Sequence, residues 1–408
     1  MSEFYDDREI RDREVREAAQ FAELPFQIAN ARDNAPFYHA RLKDVVPEQI
    51  TSRATLAQLP LTRKSELSEL QRNAPPFGGL ATASPGDLVR VYQSPGPIYD
   101  LEPLGRDYWR TARALHAAGF RGGDVIHNTF SYHFTPAGAM IERGARALGC
   151  SVFPAGPANA DLQVRAINDL RPTCYAGTPS FLKILLDRGR ELGFDTSSLG
   201  KASVAAEALP PSLRAELEGE GIRALQWYGT ADLGMIAYES SAMEGLIVDE
   251  GIIVEIVRPG SGDPVPDGDV GEVVVTVFSR VYPLIRFATG DLSAVMPGRS
   301  PCGRTNMRLK GWLGRADQAT KVKGMFVLPS QIADVLKRHP EIRKARLVVT
   351  HENGRDVMTL HCESEAVEAA AVAESLQSVC KLKGRVELTA PGTLPDDGKV
   401  IDDVRRYS

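Results

Sequence analysis

The chain has no long apolar run. Nowhere in its 408 residues does a hydrophobic stretch approach the roughly 18 residues a membrane span needs, so no membrane partner is expected. Cysteine is scarce: Cys150, Cys174, Cys302, Cys362 and Cys380 are widely spaced, odd in number, and form no Cys-x-x-Cys pair. That argues against a disulfide framework and suits buried thiols in a reducing, cytoplasmic setting. Basic charge is not in excess. With 48 Lys and Arg against 53 Asp and Glu the net charge is −5, and no nucleic-acid partner is expected. The opening Met-Ser-Glu-Phe-Tyr-Asp-Asp-Arg is acidic and lacks an apolar segment, so no signal peptide is expected. There is no Gly-Lys-Ser/Thr phosphate loop, internal repeat or low-complexity segment.

What is present is the composition of a globular protein, 43% hydrophobic and 25% charged, in a chain too long for one core. Residues 7–43 have helical spacing and read as a helix packed on the body. Pro60-Leu-Thr-Arg-Lys64 reads as the start of another helix, with Thr62 as its N-cap. From Tyr108 to Tyr228, strand patterns alternate with helices of about ten residues, which implies a parallel, doubly wound sheet. The helices expected include Tyr108–Ala118, Val164–Leu170, Ser180–Leu192 and Pro210–Glu220. In such sheets ligands bind beyond the carboxyl ends of the strands. That marks Tyr132–His133, Gly177–Pro179, Glu207 and Tyr228–Asp232 as facing a cleft.

From Gly245 the apolar period becomes two, predicting a small β subdomain whose last strand, Leu284–Phe287, delivers Arg286–Asp291 to a surface turn. Past the stretch Gly311–Ile332, strands at Thr320–Phe326, Arg346–Thr350, Val357–Cys362 and Val386–Leu388 surround helices at Pro329–Arg338 and Glu365–Lys381. The fold class is therefore α/β: a large N-terminal region of doubly wound sheet plus β subdomain, residues 1–313, joined by a hinge to a small α+β domain, residues 314–408.

Four short stretches recur in a telling order: Tyr228-Gly-Thr-Ala-Asp232, Arg286–Asp291, Gly314-Arg-Ala-Asp317 leading into Lys321-Val-Lys-Gly324, and Gly398-Lys399. This order resembles the adenylate-forming superfamily of acyl-CoA synthetases. Asn34-Ala-Pro-Phe-Tyr38, Leu59-Pro-Leu-Thr-Arg-Lys64, Ala176-Gly-Thr-Pro179, Ala205–Glu207 and Val327-Leu-Pro-Ser-Gln-Ile332 narrow the likeness to the phenylacetate–CoA ligases. The resemblance implies an ATP-dependent, AMP-forming ligase that adenylates an aryl or related acid and transfers it to CoA, with Mg²⁺ on the phosphates.

Role by role, the resemblance places Ser94, Gly96, Glu207, Tyr228, Gly229, Thr230, Asp291 and Arg315 at the nucleotide. Tyr228 would stack on adenine and Thr230 would touch the α-phosphate. Asp232 would hold Mg²⁺, one methylene shorter than the family's glutamate; otherwise it is a helix N-cap. Asp291 would accept both ribose hydroxyls, unless Thr289-Gly290-Asp291 is only a tight turn. Arg315 would reach ribose and phosphate; its alternative is a solvated linker charge. Lys399 would neutralise charge on the transferring phosphate. Asp317 would be the hinge, and Lys323 and Gly324 would line the CoA path. Tyr132, His133, Phe134, Ala205 and Ala206 would form the acyl pocket, with His133 either its wall or a satisfied core histidine. Trp227 reads as core.

Two departures stand out. The family's Ser/Thr-rich phosphate loop is replaced by Gln93-Ser-Pro-Gly-Pro-Ile-Tyr-Asp100, where prolines remove amide donors and Asp100 adds negative charge. Relatives' extra cysteines near Pro-Cys-Gly-Arg are absent beside Cys302, so no zinc is expected. Two other readings therefore stay open: a non-catalytic or partner-dependent acyl- or AMP-binding homologue, and an adenylating enzyme that loads a carrier protein or an amine. Nothing in the sequence sets an oligomeric state or names the acid.

Overall fold

The structure is a computed structural model and describes residues 3–322, 325–352, 355–364, 366–395 and 399–405. The chain divides into two compact units. The first runs to Arg258 and adds Gly262–Thr289 and Ala294–Gly311; the second takes Pro259–Ser261, Gly290–Ser293 and the chain from Trp312 onward.

Alternating strand and helix patterns in the first unit produce the expected parallel sheet. Its strands lie in the order Ser151–Pro154, Val125–Asn128, Cys174–Gly177, Lys201–Val204, Arg223–Thr230. Helices Ala137–Leu148, Ala160–Leu170, Pro179–Leu192 and Pro211–Gly219 connect them. Local chemistry fixes the ends of these helices. Thr178 caps Pro179–Leu192 by accepting from the Phe181 amide at 3.4 Å, and Gly193 closes it at φ +73°. The helix expected from Tyr108 starts only at Thr111, because Arg110 is left-handed at φ +63°. The Asp107 carboxylate takes the Thr111 and Ala112 amides at 3.1 and 2.9 Å. Helix Ala137–Leu148 packs directly on this one: a Cβ on Gly144 would lie 2.4 Å from Thr111 Oγ1 and 2.6 Å from the Ala112 nitrogen.

Beyond Arg223–Thr230 the sheet continues antiparallel through Gly234–Glu239, Leu246–Val248, Arg308–Leu309 and Val295–Met296. The strand Gly234–Glu239 has no counterpart among the sequence expectations. It is buried at every position, so it lacks the alternation that reveals a half-exposed strand. A second sheet orders Thr62–Arg63, Phe287–Ser293, Gly271–Val277 and Ile252–Val257. Thr62 is thus a buried strand residue rather than an N-cap. Its hydroxyl meets Tyr38 Oη at 3.0 Å and donates to the Ile285 carbonyl at 3.1 Å.

Arg286 is likewise not at a surface turn. It is buried, at φ +44°, with its guanidinium on Glu255 at 3.1 Å and on the carbonyls of Ala57, Leu59 and Gly262. Helix Arg13–Asn34 packs on the body as expected, tied down by a buried Arg16–Glu250 pair at 2.8 Å.

In the second unit, strands Arg385–Thr389, Arg355–Glu363, Lys344–Glu352 and Ile401–Asp403 form one sheet in that order. Helices Pro329–Arg338 and Ala369–Cys380 accompany it, and Ile332, Val335, Leu347, Leu360 and Leu376 belong to its buried core. The single strand expected at Thr320–Phe326 is a hairpin of Thr320–Val322 and Met325–Val327. Among the described residues no helix is long and apolar enough to cross a membrane.

Candidate active site

The loops marked by sequence follow neighbouring strands of the parallel sheet. After Val125–Asn128, the Asn128 side-chain amide donates to Tyr132 Oη at 2.8 Å and to the Gly138 carbonyl at 3.0 Å. That pins Tyr132, and burial pushes its phenol up to about 12, so it stays neutral. His133 is exposed and stacks on Phe134, ring centroids 5.8 Å apart, which excludes the core-histidine alternative. The Phe134 carbonyl accepts from the Gln93 amide at 2.9 Å, so the aromatic loop is tied to the segment standing where the phosphate loop belongs.

At its last residue, Gly177, the strand Cys174–Gly177 has no room for a side chain. A Cβ on Gly177 would lie 1.9 Å from Thr129 Oγ1 and 2.3 Å from Tyr175 Oη. Those two atoms are part of a relay in which Thr129 donates to Tyr175 at 2.8 Å and Tyr175 to the Thr178 carbonyl at 2.9 Å. Ala205 is buried; Ala206, at φ +70°, and Glu207 are exposed in the turn that follows.

Tyr228, Gly229 and Thr230 end the last parallel strand. Tyr228 is half-buried and donates to Thr289 Oγ1 at 3.4 Å. A Cβ on Gly229 would lie 2.4 Å from the Gly234 carbonyl oxygen, so the hairpin requires glycine there. Thr230 Oγ1 accepts from the Leu233 amide at 3.2 Å. Asp232 lies in the turn between two strands and caps no helix, which removes the N-cap alternative. Its carboxylate is buried, with Oδ2 2.7 Å from Lys64 Nζ and Oδ1 lacking a hydrogen-bond partner. Trp227 is core, edge-on to Phe130 at 6.2 Å.

The phosphate-loop counterpart is a β-hairpin. Arg90–Ser94 pairs with Ile98–Glu102 in a register that sets Ser94 opposite Ile98, with Pro95-Gly96-Pro97 as the turn. Ser94 Oγ donates within the hairpin to the Ile98 carbonyl at 3.3 Å, and the two prolines have no amide hydrogen, leaving Gly96 as the apical donor. Gln71 brackets the second strand, donating to the Tyr99 carbonyl at 2.9 Å and accepting its amide at 2.6 Å. Asp100 then points inward, 1% exposed, with no hydrogen bond of good geometry on either oxygen. Burial, and next the charge of Asp232, push its carboxyl well above the usual range.

Sequence reasoning gave neither Lys64 nor Asp100 a role. In the sequence Lys64 belongs to a motif that carries only likeness, and Asp100 is only an added charge. Which interior either faces is set by tertiary packing.

The second unit gathers its own set. The Asp291 carboxylate accepts from Trp312 Nε1 and from Arg315 Nη1, each at 3.1 Å. Thr289-Gly290-Asp291 lies inside the strand Phe287–Ser293, not in a tight turn, and a Cβ on Gly290 (φ +78°) would lie 2.7 Å from Arg315 Nη2. Arg315 is thus paired rather than a solvated linker charge. Trp312 was not singled out by sequence, and an indole in a linker gives little local signal. Asp317 falls in the 3₁₀ turn Ala316–Gln318. Lys323 and Gly324 lie outside the described residues. Lys399 is half-exposed, its Nζ 3.1 Å from Asp402, and the next amide, Val400, donates to Gln318 Oε1 at 2.8 Å.

A separate cavity of about 510 Å³ in the first unit is lined by Arg8, Arg11, Tyr108 and Arg110 among others and contains none of the expected site residues. Arg11 and Arg110 in its wall are paired with Glu250 and Asp249.

A family model described as AMP-binding enzyme matches residues 106–277, and one described as AMP-binding enzyme C-terminal domain matches residues 324–404. The phenylacetate-coenzyme A ligase of Aromatoleum evansii is 30% identical over 366 residues, 85% of this chain and 81% of that protein. The chain belongs to the AMP-binding, adenylate-forming enzyme family. Within it, the phenylacetate-coenzyme A ligase of Thermus thermophilus is also 30% identical, over 85% of this chain and 80% of its own length. Among solved structures, an open conformation of 2-hydroxyisobutyryl-CoA ligase in complex with 2-HIB-AMP and CoA shares the fold. Its TM-score is 0.85 over 98% of this chain and 95% of that one, at 24% identity.

Proposed function

We propose that the protein is an AMP-forming acyl-CoA ligase: it activates an aryl carboxylic acid with ATP and passes the acyl group to CoA. The observation that carries this reading is the likeness to phenylacetate-coenzyme A ligases along most of the chain. The placement of Tyr132, Gly177, Ala205–Glu207 and Tyr228–Asp232 at or just past the carboxyl ends of neighbouring strands supports it. In this reading the acid's carboxylate attacks the α-phosphorus of ATP, the bond to pyrophosphate breaks, and the CoA thiol then displaces AMP. Tyr228 and Thr230 position the nucleotide, Asp291 and Arg315 hold ribose, and Tyr132, His133, Phe134, Ala205 and Ala206 surround the acyl group. Positioning and charge neutralisation are the main demands of phosphoryl chemistry. Magnesium fits Asp232, whose Oδ1 is buried and unpartnered. Among the described residues no three His, Cys, Asp or Glu side chains form a metal cage. That suits an ion that keeps waters and draws its other ligands from phosphate, whose charge it neutralises. All five cysteines are free, consistent with the cytoplasm as its compartment.

The hairpin at 95–97 favours a second reading, a homologue that binds acyl or AMP without adenylating, because its turn offers few phosphate donors. ATP–pyrophosphate exchange over a panel of aryl acids at saturating Mg-ATP decides between the two. Exchange with at least one acid is expected; none with any acid would sink the ligase. Thioester formation on free CoA, compared with a carrier protein, then identifies the acceptor.

The hinge role of Asp317 gives a further expectation. Proline at this position fixes φ and should impair thioester formation from pre-made acyl-adenylate about tenfold more than adenylate formation. Equal loss in both half-reactions would remove the hinge assignment.

A further inference from the structure

Four buried oxygens have no hydrogen-bond partner: both of Asp100, Oδ1 of Asp232 and the hydroxyl of Tyr282. They belong to one neighbourhood. Asp100 acts electrostatically on Asp232, Tyr282 lies in the field of both carboxylates, and Lys64 bridges to Asp232 at 2.7 Å. Asp100, Asp232 and Tyr282 are 1%, 4% and 1% exposed. Buried polar groups are otherwise nearly always paired, so a set of orphans within one another's field points to a missing group. Two carboxylates meet one ammonium, so the pair is balanced only while Asp100 keeps a proton, and a group that takes that proton's place is cationic. Oxygen-only donors beside an unpartnered hydroxyl suit a hard divalent ion that keeps part of its hydration shell.

We infer that Asp100 and Asp232 together hold a divalent cation, with the Tyr282 hydroxyl bonding one of its waters and Lys64 covering the site in its absence. This goes beyond a magnesium ion on Asp232 alone, and it rests on the proposed function for its purpose. Asp100 lies on the strand that leaves the Pro95-Gly96-Pro97 turn. A cation fixed there brings to the phosphates the positive charge that the hairpin's missing donors do not supply. Asp100 would thus be what allows this departed loop to work.

Mn²⁺ titrated into the full chain without nucleotide or acid, with the free ion read by electron paramagnetic resonance, tests the site. One site is expected in the parent. Asp100→Asn and Asp232→Asn should each weaken it tenfold or more, Asp100→Glu should retain it, and Lys64→Met, lacking the competing ammonium, should tighten it. Thermal melting verifies folding, and Asp100→Ser provides the same reading if the asparagine variant does not fold. Parent-like Mn²⁺ affinity in a folded Asp100→Asn protein overturns the inference. So does the absence of Mn²⁺ binding in both the parent and Lys64→Met. Pyrophosphate exchange measured in parallel separates the two claims. Asp100-dependent Mn²⁺ binding without exchange leaves the cation site and removes the ligase. Exchange with Asp100-independent binding does the reverse.

Discussion

Lys399→Ala is expected to lower acyl-adenylate formation by two to three orders of magnitude, with folding stability unchanged. In the proposed reaction negative charge builds on the phosphate oxygens as the acid's carboxylate attacks, and a fixed ammonium stabilises that state more than the ground state. Removing one such group typically costs about 10²–10³ in kcat. The structure shows why stability should not follow. The Lys399 side chain is half-exposed, and its Nζ lies 3.1 Å from Asp402. The segment is held instead by its backbone, through the Val400 amide on Gln318 and the pairing of Ile401–Asp403 with Lys344–Glu352. Exposed substitutions of this kind usually move stability by less than about 0.5 kcal/mol. The measurement is single-turnover formation of AMP-acyl product from radiolabelled ATP, with thioester formation from synthetic acyl-adenylate as control. The control should be nearly unaffected, and Lys399→Arg should recover part of the first step. An unchanged adenylation rate in Lys399→Ala would end the assignment.

The second large effect is on stability against pH, and it comes from His116. This residue is 8% exposed on helix Thr111–Ala117, edge-on to Tyr5 at 5.7 Å. Burial, then the charges of Arg121, Arg304 and Arg113, lower its pKa to about 4. Its Nδ1 has no partner. Unfolded, the same imidazole titrates near 6.5. The folded state therefore holds it neutral, and its stability contribution is complete above about pH 6.5 and is lost as pH falls toward 4. The difference in pKa corresponds to about 3 kcal/mol across that window. Urea denaturation of the parent and of His116→Leu between pH 7.5 and 4 isolates the effect. The parent should lose about 3 kcal/mol more than the variant, whose remaining slope comes from carboxylates. Asp6, held low by Arg113, titrates below this window and does not mimic it. Parallel curves for the two proteins would show that His116 does not carry the acid sensitivity.

The parallel half of the large sheet was readable because each short apolar strand is followed by a capped helix, as at Thr178-Pro179. The same alternation placed Tyr132, Gly177, Glu207 and Tyr228 at or past the carboxyl ends of strands, since that position depends only on chain direction. Strand Gly234–Glu239 was not readable, because full burial erases its period. Thr62 looked like a cap because a threonine after proline has that local preference. Its actual partners, Tyr38 and Ile285, are 24 and 223 residues away in sequence.

By itself, then, the sequence determined the α/β class, the order of motifs that marks the family, and the departure at residues 93–100. These rest on local propensity and on residue identity at fixed spacing. Only the tertiary structure decided that Arg286 is a buried partner of Glu255, that Asp291 is shared by Trp312 and Arg315, and that Asp100 faces Asp232 and Lys64. Each of these depends on which group, distant in sequence, folding brings alongside. No local pattern encodes that, and it is what turns an acidic residue in a proline-rich hairpin into a candidate cation ligand.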